Sequence, residues 1–220
     1  MKLTYYGHAS FLLESDGTSI LIDPFNEKCG YPLPKVAPTA VAISHEHFDH
    51  NYLEVAGGSP KVIHGLRAEG KEWADVTERV GPIALTTVKT YHDPAQGKER
   101  GRNAIFIFDA EGLRVVHAGD LGHTLSPDQV KAVGRADLLL IPVGGYYTIG
   151  PKDADAVISQ LQPRVVVPMH YKTDVNKDWP IGPVDDFLRG KTGVKRLGRT
   201  VAVSSAALPK TQEIWVLSHA

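Results

Sequence analysis

Three histidines and one aspartate crowd into six consecutive residues, His45, His47, Asp49 and His50 in the run SHEHFDH, and these are the side chains that bind divalent metals through nitrogen and oxygen. His45 and His47 stand two apart, so on extended backbone both leave the same face and can grip one ion. Asp49 and His50 follow where the chain must turn, which can direct them to a second ion close by. A polar surface loop accounts for one or two such residues, but not for four directly after an apolar run. Glu46, between the two histidines, points away from them and reads as a solvated carboxylate.

A two-ion site needs ligands from elsewhere in the chain. His92 in KTYHDP, Asp120 in VVHAGDLGH and His170 in VVVPMHYKT each follow an apolar run and sit beside residues that break it, where an active-site rim belongs. Singly, each reads as a hydrogen-bonded surface residue; together they match what the first cluster lacks. A carboxylate can bridge two cations through its two oxygens whereas a neutral imidazole nitrogen serves one, so Asp120 is the natural bridge.

The elements that must position these residues are mostly short strands. The pattern predicts strands at Leu3 to Tyr6, Ser10 to Glu14 and Ser19 to Asp23, an antiparallel meander with a turn at Asp16-Gly17. After a Pro-rich loop, Val41 to Ser44 forms a strand that runs directly into HEHFDHN. Further strands are expected at 61–64, 83–89, 104–109, 114–118, 138–142 and 165–169, and near Val201 and Ile214. Helices are expected from the Ser126-Pro127-Asp128 cap, at Pro151 to Leu161, where Ala154, Val157, Ile158 and Leu161 recur at helical spacing, and at Val184 to Arg189, ended by Gly190. Many strands with few helices imply two sheets packed face to face with helices outside, or a related α+β arrangement.

The chain has 220 residues, which fits one domain, and no internal repeat or linker interrupts it. Its 42% hydrophobic and 22% charged residues are those of a globular protein. Lys plus Arg total 24 against 25 for Asp plus Glu, and a pI near 6.8 gives no broad positive field, so a nucleic-acid partner is disfavoured and a small-molecule substrate expected. The start, MKLTYYGHASFLLESDG, meets polar residues before any signal-like run, and no stretch is long enough to span a bilayer, so the expected location is cytoplasmic. Nothing in the sequence sets an oligomeric state. The one cysteine, Cys29, excludes an internal disulfide and a Cys-rich zinc site; in the turn-rich NEKCGYPLP with no neighbouring His it reads as an inert loop thiol.

The order HxHxDH after a strand, then a strand-end His, then GD, then a late strand-end His, resembles the metallo-β-lactamase superfamily. YYGHASFLLE, LIDPF, SHEHFDH, RGRNAIF, HAGDLGH, PVGGYYTIGPKDA and VVPMHYKT resemble, more narrowly, its small branch of metal-dependent hydrolases related to ascorbate-phosphate lactonases. The resemblance implies an αββα sandwich with the metals at one sheet edge. It implies a first metal on His45, His47 and His92, a second on Asp49, His50 and His170, and Asp120 between them. His117 competes with His92 for the third position, although its place inside LRVVHAGD points to a packed or supporting role.

Asp23 resembles the family's orienting aspartate, although an Asp-Pro step also simply starts a turn. His8 is a candidate wall residue, and His123, Tyr146, Tyr147, Lys152 and Lys172 lie on loops from which a donor could reach an anionic or oxyanionic group. Gly144-Gly145 lacks a phosphate-loop signature and reads as a close backbone approach.

The expected activity is hydrolysis of a phosphodiester, lactone or related ester by a hydroxide generated between two divalent cations, with Asp49 and Asp120 as catalytic carboxylates. Zinc is the default for such N/O ligation, with manganese, iron or nickel as alternatives. A different class, iron-dependent redox or sulfur chemistry on the same fold, is opposed by His47, where di-iron relatives carry a glutamate. A non-catalytic metal-binding protein is opposed by the complete ligand set.

Overall fold

The computed structural model describes residues 1–219. The chain opens with β1 (Lys2–Gly7), β2 (Ser10–Ser15) and β3 (Thr18–Ile22), paired antiparallel in sequence order. Asp16 and Gly17 join β2 to β3 with φ of 43° and 73°, both left-handed, which is what a two-residue turn matching the strand twist requires. β4 (Ala40–Ile43) and β5 (Lys61–His64) then add in parallel beside β3. A two-residue-strand hairpin follows, β6 (Leu66–Arg67) with β7 (Glu72–Trp73).

The second sheet is built from β8 (Thr77–Val80), β9 (Ile83–Tyr91), β10 (Arg102–Ala110) and β11 (Leu113–His117), all antiparallel, then β12 (Leu138–Pro142) and β13 (Val165–Met169) in parallel. β14 (Val194–Leu197) and β16 (Glu213–Leu217) close its far edge, while β15 (Thr200–Ala202) crosses to pair with β1. The sheet orders are β15-β1-β2-β3-β4-β5 and β14-β16-β13-β12-β11-β10-β9-β8. β12 and β13, covered on both faces, are apolar along their whole length, as LLLIP and VVVPM read. The β13–β16 ladder ends at Val166, before Pro168, which has no N–H to give it.

Period-two alternation sorts the core into layers. Leu3, Tyr5, Phe11, Leu13, Ile20, Ile22, Phe106, Phe108, Val115, Leu138, Leu140, Val165 and Val167 meet between the sheets. Ile105, Ile107, Val116, Leu139, Ile141 and Val166 face outward under the helices α1 (Pro127–Val133), α2 (Pro151–Leu161) and α3 (Val184–Leu188). Ser126 caps α1 in a reciprocal box with Gln129, and α2 buries the four residues its spacing marks. The outer face of the first sheet, Leu12, Leu21, Val41 and Ile43, is covered by Phe25, Cys29 and Tyr31 on the loop before β4 and by Val55 on the loop after it, each loop with one 3-10 turn. The architecture is thus the expected αββα sandwich, with one outer layer reduced to 3-10 turns.

The expected elements all form, within one or two residues at their ends. β8, β14 and the β6–β7 hairpin were not expected: TERV and VKRL are polar, mostly exposed edge strands without an alternating apolar face, and two-residue strands leave no period to read. Among the described residues no helix is long and apolar enough to cross a membrane.

Candidate metal centre

Parallel pairing of β3 and β4 sets their carboxyl ends side by side, and the loops beyond them start the site. Asp23, just past β3, takes a left-handed φ of 45° that Asp tolerates better than most residues. Its buried carboxylate accepts the Ser44 N–H at Oδ1 (2.7 Å) and the Ser44 hydroxyl at Oδ2 (2.6 Å). The Ser44 hydroxyl, having donated its proton, accepts from His45 Nδ1 at 2.9 Å, which puts the lone pair of His45 on Nε2, 3.1 Å from His47 Nδ1. After His47 the chain turns, with the N–H groups of His50 and Asn51 both on the His47 carbonyl, and His50 Nδ1 returns to donate to Asp23 Oδ2 at 2.9 Å. One aspartate therefore sets the orientation of two imidazoles.

The second sheet delivers the rest from the ends of β9, β11 and β13. His92 follows β9, its N–H bonded to the Gly101 carbonyl. A Cβ on Gly122 would lie 2.2 Å from the His92 carbonyl carbon, so only glycine lets that loop approach. Asp120 follows β11 with its N–H on Asn103 Oδ1, while the Asn103 amide donates to Ala118 O and Thr90 Oγ1. His170 follows β13, donates its N–H to the His8 carbonyl and accepts the Gly144 N–H. A Cβ on Gly144 would lie 2.3 Å from that His170 carbonyl, which accounts for the Gly144-Gly145 step as a close backbone approach.

Three groups of ligand-type atoms result, each with its donor atoms within 4.8 Å of one another: two that face the cavity, His45, His47 and His92 in one and His8, Asp49, His50 and His170 in the other, and the orienting set just described, Asp23, His45 and His50. Asp120 lies between the first two. Its Oδ2 is 3.1 Å from His92 Nε2, 3.3 Å from His170 Nε2 and 3.9 Å from His45 Nε2, while its Oδ1 is 3.2 Å from His50 Nε2. Although close, His50 Nε2 and Asp120 Oδ1 make no hydrogen bond, and both are buried. They converge on a shared space rather than on each other.

Charge in this cavity is set by competition between burial and neighbours. Burial pushes the His45 pKa well down, which keeps its ring neutral and able to donate a lone pair. Burial, with His170 beside it, lowers His8 to about 4. Burial also works against charge on Asp49, yet His50 and the His8 hydrogen bond (Nε2 to Oδ2, 3.1 Å) prevail and hold its carboxyl well below the usual carboxylate range. For His50, burial opposes protonation, but Asp120 and Asp49 raise its pKa overall.

The structure keeps two of the expected histidines, His117 and His123, out of the cavity. His117 lies within β11, opposite Phe106; its Nε2 contacts the Ala9 carbonyl at 2.8 Å and its Nδ1 accepts the Gly119 N–H. With both nitrogens used it supports the floor, 3.9 Å from Asp23, and leaves the third position of the first group to His92. His123 is spent on backbone, Nε2 accepting from Tyr91 N and Nδ1 donating to Thr124 O, and it lines a separate surface hollow. Glu46, expected as a solvated carboxylate, is half-buried and lines the cavity mouth, where its oxygens are taken by His64 and Asn51.

The groups open into a cleft of about 750 Å³ lined by Tyr147 among the expected loop residues, but not by Tyr146, Lys152 or Lys172. Lys28, Phe48, Arg100, Asp178 and Trp179 also line it and carried no motif signal. Cys29 does not: it is buried under the first sheet, and burial pushes its thiol pKa up. We expect it to resist a disulfide reagent such as Ellman's in the native protein while reacting fully once guanidinium unfolds the chain, since only an exposed thiolate attacks; rapid labelling of the native state would contradict this burial.

Residues 2–170 match the Beta-lactamase superfamily domain. A UPF0173 metal-dependent hydrolase of Archaeoglobus fulgidus is 35% identical over 198 residues, covering 79% of this chain and 84% of that protein. Another from Heliobacterium modesticaldum is 31% identical over 198 residues, covering 79% and 83%. A solved structure from Thermotoga maritima, of the metallo-β-lactamase superfamily, superposes with a TM-score of 0.80 at 38% identity and covers 98% of this chain and 97% of its own.

Proposed function

Since the chain belongs to the β-lactamase superfamily and is a metal-dependent hydrolase within it, we propose that it works with two divalent cations, zinc by default, and cleaves a phosphodiester, lactone or related ester. The observation that carries this reading is the Asp120 carboxylate, with three imidazole nitrogens within 3.9 Å of one oxygen and a fourth 3.2 Å from the other.

The donor set fits two ions. A buried imidazole nitrogen and a buried carboxylate oxygen, each without a hydrogen bond, are costly in an empty polar cavity and natural on a cation. His45, His47 and His92 would hold one ion, Asp49, His50 and His170 the other, and Asp120 would bridge. Cations bound there supply Lewis acidity, which deprotonates a water near neutral pH and polarises the substrate oxygen.

The remaining work falls to the chain itself. Asp23 fixes His50 directly and His45 through Ser44, so neither ring can turn away. His8 ties down one oxygen of Asp49, leaving the ionised carboxylate to orient an attacking water by accepting its proton in a hydrogen bond. Among the residues lining the cleft none is Ser, Thr or Cys, which supports attack by water rather than by a side-chain nucleophile.

Elemental analysis of the purified protein is expected to find two metal ions per chain, and a hydrolysis screen over a phosphodiester, a lactone, a thioester and a β-lactam should give turnover that a chelator removes and added metal restores. A chain that takes up no metal and hydrolyses nothing after reconstitution with zinc, manganese or iron would refute the proposal.

A further inference from the structure

We propose that the mouth of the cleft is an anion subsite, with Arg100 as its principal donor and Lys28 as its second, so that the substrate carries a carboxylate or phosphate away from the bond that is cut. The inference rests on the hydrolase reading above for its cleft, and on the placement and partners of the residues around the cleft mouth.

Arg100 sits on an unusually well-fixed loop. The Asp93 carboxylate is buried and accepts four backbone N–H groups, from Ala95 (2.8 Å) and Gly97 (2.9 Å) at Oδ1 and from Glu99 (3.1 Å) and Arg100 (2.8 Å) at Oδ2. The next carbonyl, that of Gly101, takes the N–H of His92. The backbone of Arg100 is therefore tied to the backbone of a metal-centre residue, an order that a merely solvated arginine does not need.

Both cations rest on aromatic rings inside the cleft. The Arg100 guanidinium lies 6.0 Å from the Tyr147 ring centre, and Lys28 Nζ lies 5.7 Å from that of Phe48. Such contacts hold a charged head in place while leaving its donors free. Arg100 has one ion pair, with the exposed Glu99 at 3.2 Å, a surface contact that a ligand can displace. Among the described residues no carboxylate pairs with Lys28.

The wall continues inward from Arg100. Tyr147 packs near Trp179 (6.4 Å between ring centres), Trp179 against His8 (5.3 Å), and His8 holds Asp49. A substrate lying along Tyr147 and Trp179 would have its charged end at Arg100 and its other end at the metal centre. The charge balance agrees: of the lining carboxylates, Glu46 is taken by His64 and Asn51, and Asp49 and Asp120 face the imidazole groups of the candidate metal centre. That leaves Asp178 alone against Lys28 and Arg100, and the arginine fork suits a planar carboxylate or a phosphate bidentately.

The test uses the zinc-loaded protein and two esters of equal acyl length, 4-nitrophenyl valerate and mono-4-nitrophenyl glutarate, which differ by one terminal carboxylate. The ratio of kcat/KM for charged over neutral ester is expected to fall about tenfold in Arg100→Met through KM, less in Arg100→Lys, and less in Lys28→Met. A calorimetric arm needs no turnover: 3-phenylpropionate and phenyl phosphate should bind Arg100→Met about tenfold more weakly than the natural protein at equal zinc content. Their relative losses tell carboxylate from phosphate, and 3-phenylpropionamide gives the uncharged baseline. If wild type cleaves neither ester, the ester reading of the site fails while the binding arm still decides the subsite. Affinity for both anions that is the same in the two proteins overturns the proposal, whatever the esters do.

Discussion

Asp120→Ala is expected to leave the chain folded and to lower metal-dependent hydrolysis by at least roughly a thousandfold, because several kcal/mol of charge stabilisation pass through the groups this carboxylate gathers. The fold should survive because Asp120 lies beyond the end of β11 and belongs to none of the apolar clusters. Its backbone anchor also survives, since the N–H bonded to Asn103 Oδ1 is still present in alanine. What is lost is the one carboxylate facing His45, His50, His92 and His170 together, so the five imidazoles of the proposed ligand set would have to hold two cations with Asp49 alone for charge balance. The measurements are kcat/KM on whichever substrate the screen identifies, metal per chain, and the far-ultraviolet circular dichroism spectrum. Unchanged turnover with a native spectrum would mean the bridging position is misassigned; a lost spectrum would mean the carboxylate is needed for folding itself.

The ligand-type residues were legible in the sequence because each stands where an apolar run stops. β4, β9, β11 and β13 are written as AVAI, IALTTVKTY, LRVVH and VVVPM, and the residues after them are the ones that converge. The same signal does not separate His92 from His117, since both close a strand. Face parity does: His117 shares its side of β11 with Val115, which packs between the sheets, and its ring sits 5.9 Å from Phe11 in that layer. His92 is one residue past its strand and free of that constraint. Arg100, Lys28 and Trp179 had no sequence signal because their places depend on long-range supports: the Asp93 cradle for the first, packing on Phe48 for the second, and contact with His8 for the third. His123 shows the converse error, a histidine on the right kind of loop whose two nitrogens are consumed by backbone.

Asp23 is the position where a change remote from the substrate should cost most. It never reaches the cleft, yet Ser44 N, Ser44 Oγ and His50 Nδ1 all end on its two oxygens. Removing it in Asp23→Ala leaves three buried donors unpaired at about 1–3 kcal/mol each, so a destabilisation on the order of 3–5 kcal/mol is expected after partial relaxation. Metal affinity should fall by about 10–100-fold, the usual effect of losing a partner behind a ligating histidine. Asp23→Asn separates the two effects. Asparagine tolerates the left-handed backbone and keeps an oxygen for the Ser44 N–H, so most of the stability should return. Its amide NH2, however, meets the Ser44 hydroxyl and the His50 N–H donor to donor, so the rings lose their fixed orientation and the weakened metal affinity should remain. Denaturant midpoints and competitive metal titration on the two variants give both quantities. If asparagine restores metal affinity together with stability, Asp23 acts only as a structural tie between β3 and β4, and the orientation of His45 and His50 must come from elsewhere.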